Sequence, residues 1–135
     1  MPEIRPIALC LFRNRGRILV FEVRDGGRLI GYRPLGGGIE FGETSRDAVV
    51  REIREELGIE LREPTLVTVL ENLFTYGGQP KHEIVFVYDG LVGDASVYDR
   101  DDLMFDEGNE RIPVRWVDPH DLDAPLFPNG LADAL

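Results

Sequence analysis

The chain has 135 residues, enough for one domain with its own buried core, and we expect residues 1–135 to form a single domain. Its formal net charge of −10 argues against nucleic-acid polymers and anionic membranes as partners, because proteins bind both mainly through lysine and arginine. The single cysteine, Cys10, excludes an internal disulfide, and the apolar run of residues 7–12 is too short for a membrane span or a signal peptide. We therefore expect a cytoplasmic protein.

Strand-forming sequences lie on both sides of the middle of the chain. Apolar and β-branched residues predict strands over residues 4–12, 17–23 and 29–33, with polar or glycine-rich turns between them. Two further β-rich runs, residues 66–76 and 82–91, are joined by the sequence GGQPK and predict a hairpin, and residues 111–117 predict a last strand. We expect a short terminal helix within residues 122–135.

A helix with clear start and stop signals is predicted in the middle of the chain. It follows residues 34–43, PLGGGIEFGE, which are too rich in glycine to predict regular structure. Thr44 and Asp47 form a capping-box pattern, and Gly58 suits the left-handed conformation that ends many helices, so the helix should run from about Ser45 to Leu57. Strands and hairpins around such a helix predict a mixed-sheet α/β or α+β domain.

The predicted helix carries three glutamates beside its buried face. At about 100° per residue, Val49, Ile53 and Leu57 form a narrow apolar stripe. The glutamates that flank this stripe, instead of lying opposite it, are Glu52, Glu55 and Glu56. Charge at the edge of a core is costly unless it is compensated, and Arg51 can offset one carboxylate but not three, while Arg54 points away. Two hypotheses remain, a solvated acidic face or a bound divalent cation.

The surrounding sequence extends the glutamates into a longer pattern. From Gly37 the chain has five residues and Glu43, then seven residues and the run REIREELGI, residues 51–59. This matches every defined position of the Nudix box, G-x5-E-x7-R-E-U-x-E-E-x-G-U, in which U is a bulky aliphatic residue. The sequence therefore resembles the Nudix hydrolase family, through a complete box at Gly37–Ile59.

The resemblance implies a fold, a reaction and a set of site residues. The fold is an α/β/α sandwich with a mixed β-sheet, and the reaction is hydrolysis of a diphosphate linkage in a nucleoside diphosphate derivative, with Mg²⁺ or Mn²⁺ required. The implied metal ligands are Glu52, Glu55, Glu56 and the carbonyl of Gly37. Glu52 is also the implied general base, and Arg51 with Glu43 corresponds to a family salt bridge that orients the loop and the catalytic glutamates.

A further metal ligand from outside the box is expected in many family members. The acidic candidates are Glu83, Asp101, Asp102, Glu107 and Glu110. A solvated acidic loop over residues 99–110 is the alternative for most of them, and both interpretations stay open. Glu83 lies in a predicted strand, where the alternation of faces allows an inward side chain.

The expected partner is a small nucleotide. Short members with little beyond the box often act on nucleoside triphosphates, including oxidised ones, and release a monophosphate and pyrophosphate. The alternatives are diphosphatases of ADP-ribose, nucleotide sugars or dinucleoside polyphosphates; Tyr76, 17 positions after Ile59, is a feature associated with the last class. A non-catalytic ligand sensor on the same fold is a further alternative, against which the intact box argues. Whether the protein forms a homodimer also stays open.

Overall fold

A computed structural model describes residues 2–108 and 110–135, with the side chain of Glu107 outside its described part. The first sheet has the strand order β5-β1-β7-β6. Its strands are β1 (Ile4–Leu11), β5 (Leu35–Gly38), β6 (Leu61–Tyr76) and β7 (Gln79–Val92). Strand β1 runs parallel to β7 and antiparallel to β5, and β6 is antiparallel to β7. The prediction of a mixed sheet is therefore confirmed.

A second, antiparallel sheet contains the remaining strands of the described residues. They are β2 (Arg13–Asn14), β3 (Arg17–Asp25), β4 (Arg28–Arg33), β8 (Met104–Glu107) and β9 (Glu110–Val117). Their order is β2-β3-β9-β8, and β4 also pairs with β3. The predicted strands over residues 17–23, 29–33 and 111–117 are confirmed, with one or two extra residues at their ends.

Two hydrophobic cores lie on opposite faces of the first sheet, because side chains alternate along β1. Ala8 and Cys10 pack with helix α1 (Ser45–Leu57), whereas Ile7, Leu9 and Leu11 pack on the other face. The C-terminal segment covers that second face with Leu122, Ala124, Leu126, Leu131 and Leu135. Each fully buried large apolar side chain stabilises the fold by about 1.5–3 kcal/mol. The predicted α+β class with a layer on either side of the sheet is confirmed.

The outer layers differ in regularity. In the described residues, α1 is the one α-helix, and the C-terminal layer contains only a short 3-10 helix, Ala132–Ala134, where a terminal helix was predicted. A second 3-10 helix, Ala95–Asp99, and strand β8 lie in a stretch for which the sequence predicted no regular structure. Among these elements, none is a helix with the length and apolar character needed to cross a membrane.

The glycine-rich stretch of residues 34–43 was wrongly predicted to lack regular structure, since its first part forms β5. Gly36 adopts a φ of 146°, and a Cβ atom there would overlap the carbonyl oxygen of Ala8 on the neighbouring strand. Glycine therefore permits a close strand pairing here that a side chain would block.

The connection between β6 and β7 is shorter than predicted. Gly77 and Gly78 have φ angles of 60° and 77°, as a two-residue hairpin turn requires. The following residues of the predicted GGQPK loop belong to β7 and pair with β6. The hairpin is thus confirmed, but the loop boundaries were wrong.

Candidate active site

Capping residues define both ends of helix α1. The side chain of Thr44 accepts a hydrogen bond from the backbone N–H of Asp47 at 3.1 Å, which satisfies one of the free N–H groups at the helix start. Gly58 adopts a left-handed conformation with φ 67°, and its N–H donates to the carbonyl of Arg54 at 2.9 Å. The predicted boundaries Ser45–Leu57 are confirmed, and so is the rotational phase of the helix.

That phase gives the three glutamates different environments. Val49 and Ile53 are fully buried against the first sheet. Glu56, next to this stripe, is only 6% exposed, whereas the side chains of Glu52 and Glu55 are 17% and 59% exposed. The carboxylates of Glu52 and Glu56 therefore lie at the edge of the core, as the sequence predicted, and Glu55 faces solvent.

Arg51 connects the helix to the preceding loop. Its guanidinium donates two hydrogen bonds to the carboxylate of Glu43, at 2.7 and 2.9 Å, and one to the carbonyl oxygen of Gly38 at 3.0 Å. It also donates to Glu52 Oε1 at 3.0 Å and to Glu55 Oε2 at 3.3 Å. The predicted ion pair between Arg51 and Glu43 is present, and paired hydrogen bonds of this kind fix both position and orientation.

The same contacts shift the protonation equilibria of the cluster. Hydrogen bonds from Arg51 and from the backbone N–H of Glu40 lower the pKa of Glu43 to about 2. The hydrogen bond to Glu43 raises the pKa of Arg51 further above its ordinary value. Burial raises the pKa of Glu52, and the hydrogen bond from Arg51 opposes that shift in part. At neutral pH, Arg51 and Glu43 therefore form a fully charged pair.

Gly37 allows the carboxylate of Glu52 to approach the backbone of β5. A Cβ atom at position 37 would lie 2.6 Å from Cδ of Glu52 and 2.7–2.8 Å from its two oxygens. Any side chain there would displace the carboxylate. Gly37 and Glu52, two of the predicted metal ligands, are thus adjacent although they are 15 positions apart in the chain.

The predicted ligands, three carboxylates and one carbonyl oxygen, are of the chemical type that binds hard divalent cations, because Mg²⁺ and Mn²⁺ prefer oxygen ligands. Gly37 has no side chain, which leaves space beside the carboxylate of Glu52. This space is consistent with a cation site built from these two residues. However, the side chains described here include no group of three or more Asp, Glu, His or Cys residues arranged around a common point. Arg51 binds the carboxylates of Glu52 and Glu55 instead. The assignment of the ligands therefore stays a prediction.

The acidic candidates outside the box are spread over the molecule. Three of them are exposed at the surface, Asp101, Asp102 and Glu110. Asp101 also contributes to a cleft of about 520 Å³ in which no residue of the box takes part. Glu83 is buried, but it shares a face of the sheet with Val85 and Val87, opposite α1. The remaining candidate side chain, that of Glu107, lies outside the described residues.

Almost the whole chain matches the model of one known protein family. The model of the NUDIX domain matches residues 2–134. The chain belongs to the Nudix family. As a Nudix hydrolase it is an enzyme that acts on phosphorus anhydrides, and enzymes of this family generally need a divalent metal. The predicted fold family and enzyme class are thus confirmed.

Individual relatives support the Nudix assignment. Proteins named nucleoside triphosphatase NudI from Escherichia fergusonii and from Escherichia coli O81 are each 36% identical to this chain over 124 residues, which cover 87% of this chain and 84% of the relative. A MutT NUDIX hydrolase from Burkholderia pseudomallei has a similar structure, with a TM-score of 0.73, 25% identity, and coverage of 98% of this chain and 95% of that one. The MutT protein from Methanosarcina mazei Go1 has the same fold, with a TM-score of 0.64 and 21% identity over 98% of this chain and 91% of that one.

Two polar residues of the first sheet did not stand out from the sequence. Arg5 extends its guanidinium to Gly38, where Nη2 lies 3.2 Å from the position of a Cβ atom on that glycine. Asn72 is 5% exposed within β6. A polar residue at an inward position of an alternating strand is the signal that could have identified Asn72. Apolar residues lie on both faces of this part of β6, with Val69 and Leu73 exposed, so the sequence does not show which positions are inward.

Proposed function

We propose that this protein hydrolyses nucleoside triphosphates to the monophosphate and pyrophosphate, with Mg²⁺ or Mn²⁺ as its cofactor. The observation that carries the proposal is that Gly37, Arg51 and Glu52 lie next to one another within a complete Nudix box. The choice of a triphosphate is supported by the NudI relatives, whose name states that activity and whose length this chain covers to 84%.

The residues proposed to hold the cation are Glu52, Glu55, Glu56 and the carbonyl of Gly37. A bound divalent cation would supply charge neutralisation of the phosphate oxygens and a lower pKa for a bound water. Glu56 is buried beside the core, whereas Glu55 is exposed and accepts a single hydrogen bond from Arg51 at 3.3 Å, which a substrate can displace. We therefore assign Glu56 to the cation that is bound without substrate and Glu55 to a cation that binds together with the substrate.

The remaining box residues position the reacting groups. Arg51 donates hydrogen bonds to Oε1 of Glu52 and to the carbonyl of Gly38 at the same time, so it fixes the helix relative to the end of β5. Glu52 is the proposed general base, which accepts a proton from the attacking water. The oxygen of that water forms a bond to one phosphorus of the α–β anhydride, and the bond from that phosphorus to the bridging oxygen breaks. The fragment that keeps the bridging oxygen leaves with the electron pair, which gives the monophosphate and pyrophosphate whichever phosphorus is attacked.

The proposal is tested by incubating the purified chain with Mg²⁺ and a nucleotide panel, with products identified by mass. The panel includes the eight common nucleoside triphosphates, an oxidised guanine triphosphate, ADP-ribose, a nucleotide sugar and a dinucleoside polyphosphate. Monophosphate and pyrophosphate from a triphosphate are expected. Release of orthophosphate, turnover of another compound class only, or binding without turnover would contradict the proposal. Glu56→Gln serves as the inactive control and Arg54→Ala as the active one.

A further inference from the structure

Two polar side chains are buried side by side on the face of the first sheet that is opposite α1. Asn72 and Glu83 are 5% and 7% exposed, and they are direct partners in the register of β6 and β7. Directly opposite residues of an antiparallel pair project from the same face, with Cβ atoms about 5 Å apart. We call these two residues the Asn72–Glu83 pair.

The pair lacks the partners that buried polar groups normally have. Within the described residues, Oδ1 of Asn72 accepts no hydrogen bond, and Glu83 takes part in none of the ion pairs. Buried amide oxygens and carboxylates are costly in this state, and most native proteins satisfy them. Groups that are left without a protein partner commonly bind a ligand or an ordered water.

Arg5 connects the pair to the Nudix box. It is the register partner of Glu83 on β1, yet its guanidinium extends in the other direction, toward Gly38 on β5. Arg5, Glu83 and Asn72 are therefore register partners in a row across β1, β7 and β6. The Arg5 side chain extends this row toward Gly38 on β5, whose own register partner is Ile7. Three strand spacings of about 4.8 Å place Asn72 roughly 15 Å from Gly38. An extended nucleotide can span such a row, with its phosphates near Gly38 and Arg5 and its nucleoside near the pair.

From this arrangement we propose that Asn72 and Glu83 determine nucleotide specificity by binding two adjacent hydrogen-bond donors of the nucleoside. The inference rests on the proposed triphosphate hydrolysis. An ionised carboxylate can only accept hydrogen bonds, and the amide oxygen of Asn72 also accepts. The matching ligand chemistry occurs in the ring N–H and amino group of guanine, and in the two hydroxyls of ribose. A site with buried acceptors rejects analogues that lack the donors, because the acceptors then stay unpaired.

The test compares Asn72→Leu and Glu83→Gln with Glu71→Gln, a matched control at the neighbouring, exposed position of β6. For each protein, kcat and KM are measured with GTP, dGTP, ATP and dATP in saturating Mg²⁺, and Tm is measured without nucleotide. We expect KM for the preferred nucleotides to rise about tenfold to a hundredfold in the two pair variants, with kcat nearly unchanged. We also expect an equal or higher Tm, because Asn72→Leu removes a buried amide whose oxygen accepts no hydrogen bond within the described residues, and Glu83→Gln removes a buried charge.

The pattern of the loss identifies the donors. If the pair binds guanine, KM rises for GTP and dGTP alike and stays constant for ATP and dATP. If it binds the ribose hydroxyls, KM rises for GTP and ATP and stays constant for both deoxynucleotides.

Several results would overturn the inference. Variants with the KM values of Glu71→Gln, while the wild type hydrolyses triphosphates, would refute the pair's role and leave the proposed function standing. A lower Tm with unchanged selectivity would make the pair structural. A lower kcat with a higher Mg²⁺ requirement in Glu83→Gln would make Glu83 a metal ligand. A wild type that hydrolyses no nucleotide would refute both proposals.

Discussion

Replacing Arg51 with alanine should destabilise the protein and abolish most of its activity. The side chain is 23% exposed and donates to two carboxylates, those of Glu43 and Glu52, that are 16% and 17% exposed. Hydrogen bonds to charged groups contribute about 1.5–3 kcal/mol each when buried, and partial solvent screening reduces this value here. The contact with Glu55, whose side chain is 59% exposed, adds little. We expect a loss of about 3 kcal/mol in the free energy of unfolding.

Arg54→Ala is the matched control, because it lies on the same helix with an exposed side chain. Alanine has a slightly higher helix propensity than arginine, and this small gain is the same at both positions. The difference in unfolding free energy between the two variants therefore isolates the contacts of Arg51. Arg54→Ala should change the free energy of unfolding by less than about 0.5 kcal/mol. For a chain of this size, a loss of 3 kcal/mol lowers Tm by roughly 10 °C.

Urea denaturation with a common m-value, thermal melts and kcat/KM for the best triphosphate form the assay. Arg51→Lys should recover part of the stability but little of the activity, since one ammonium group cannot hold Glu43, Glu52 and the Gly38 carbonyl together. If Arg51→Ala were as stable and as active as Arg54→Ala, Arg51 would not organise the site.

Three further outcomes follow from the site geometry. Gly37→Ala should lower kcat about a hundredfold with a small change in Tm, because the new Cβ displaces the carboxylate of Glu52 and not the backbone; an unchanged kcat would contradict the adjacency of these two residues. Glu56→Gln should lower kcat more than about a hundredfold at saturating Mg²⁺ with an unchanged fold by circular dichroism, and near-wild-type turnover would remove Glu56 from the ligand set. The pKa of Glu43 is lowered from 4.5 to about 2, so its ion pair with Arg51 stabilises the fold fully above about pH 4.5 and progressively less toward pH 2. The difference in unfolding free energy between wild type and Glu43→Gln should therefore shrink over this range, and a difference that is constant with pH would refute the charged pair.

The sequence was most informative where local rules decide the structure. Thr44 and Gly58 fixed the ends of α1 because a cap depends on a side chain and a dihedral angle of the same short segment. The positions of Val49 and Ile53 then fixed which face of the helix is buried, and so the environment of each glutamate. The box pattern added the pairing of Arg51 with Glu43, which spacing alone would not have indicated.

The sequence was least informative where non-local pairing decides the structure. Leu35–Gly38 forms a strand because β1 lies beside it, and no local propensity of PLGGG predicts that contact. The burial of Asn72 depends on the pairing of β6 with β7, where Glu83 is its partner, and exposed apolar neighbours such as Leu73 leave no clear alternation in the sequence. The approach of the Arg5 guanidinium to Gly38 likewise joins residues that only the assembled sheet brings together.

The most direct test of the proposed metal site is a Mn²⁺ titration followed by electron paramagnetic resonance, with wild type, Glu56→Gln and Arg54→Ala compared at neutral pH. We predict saturable Mn²⁺ binding to the wild type and to Arg54→Ala, and an affinity at least about tenfold weaker for Glu56→Gln. Superimposable titration curves for wild type and Glu56→Gln would contradict a cation site on this helix.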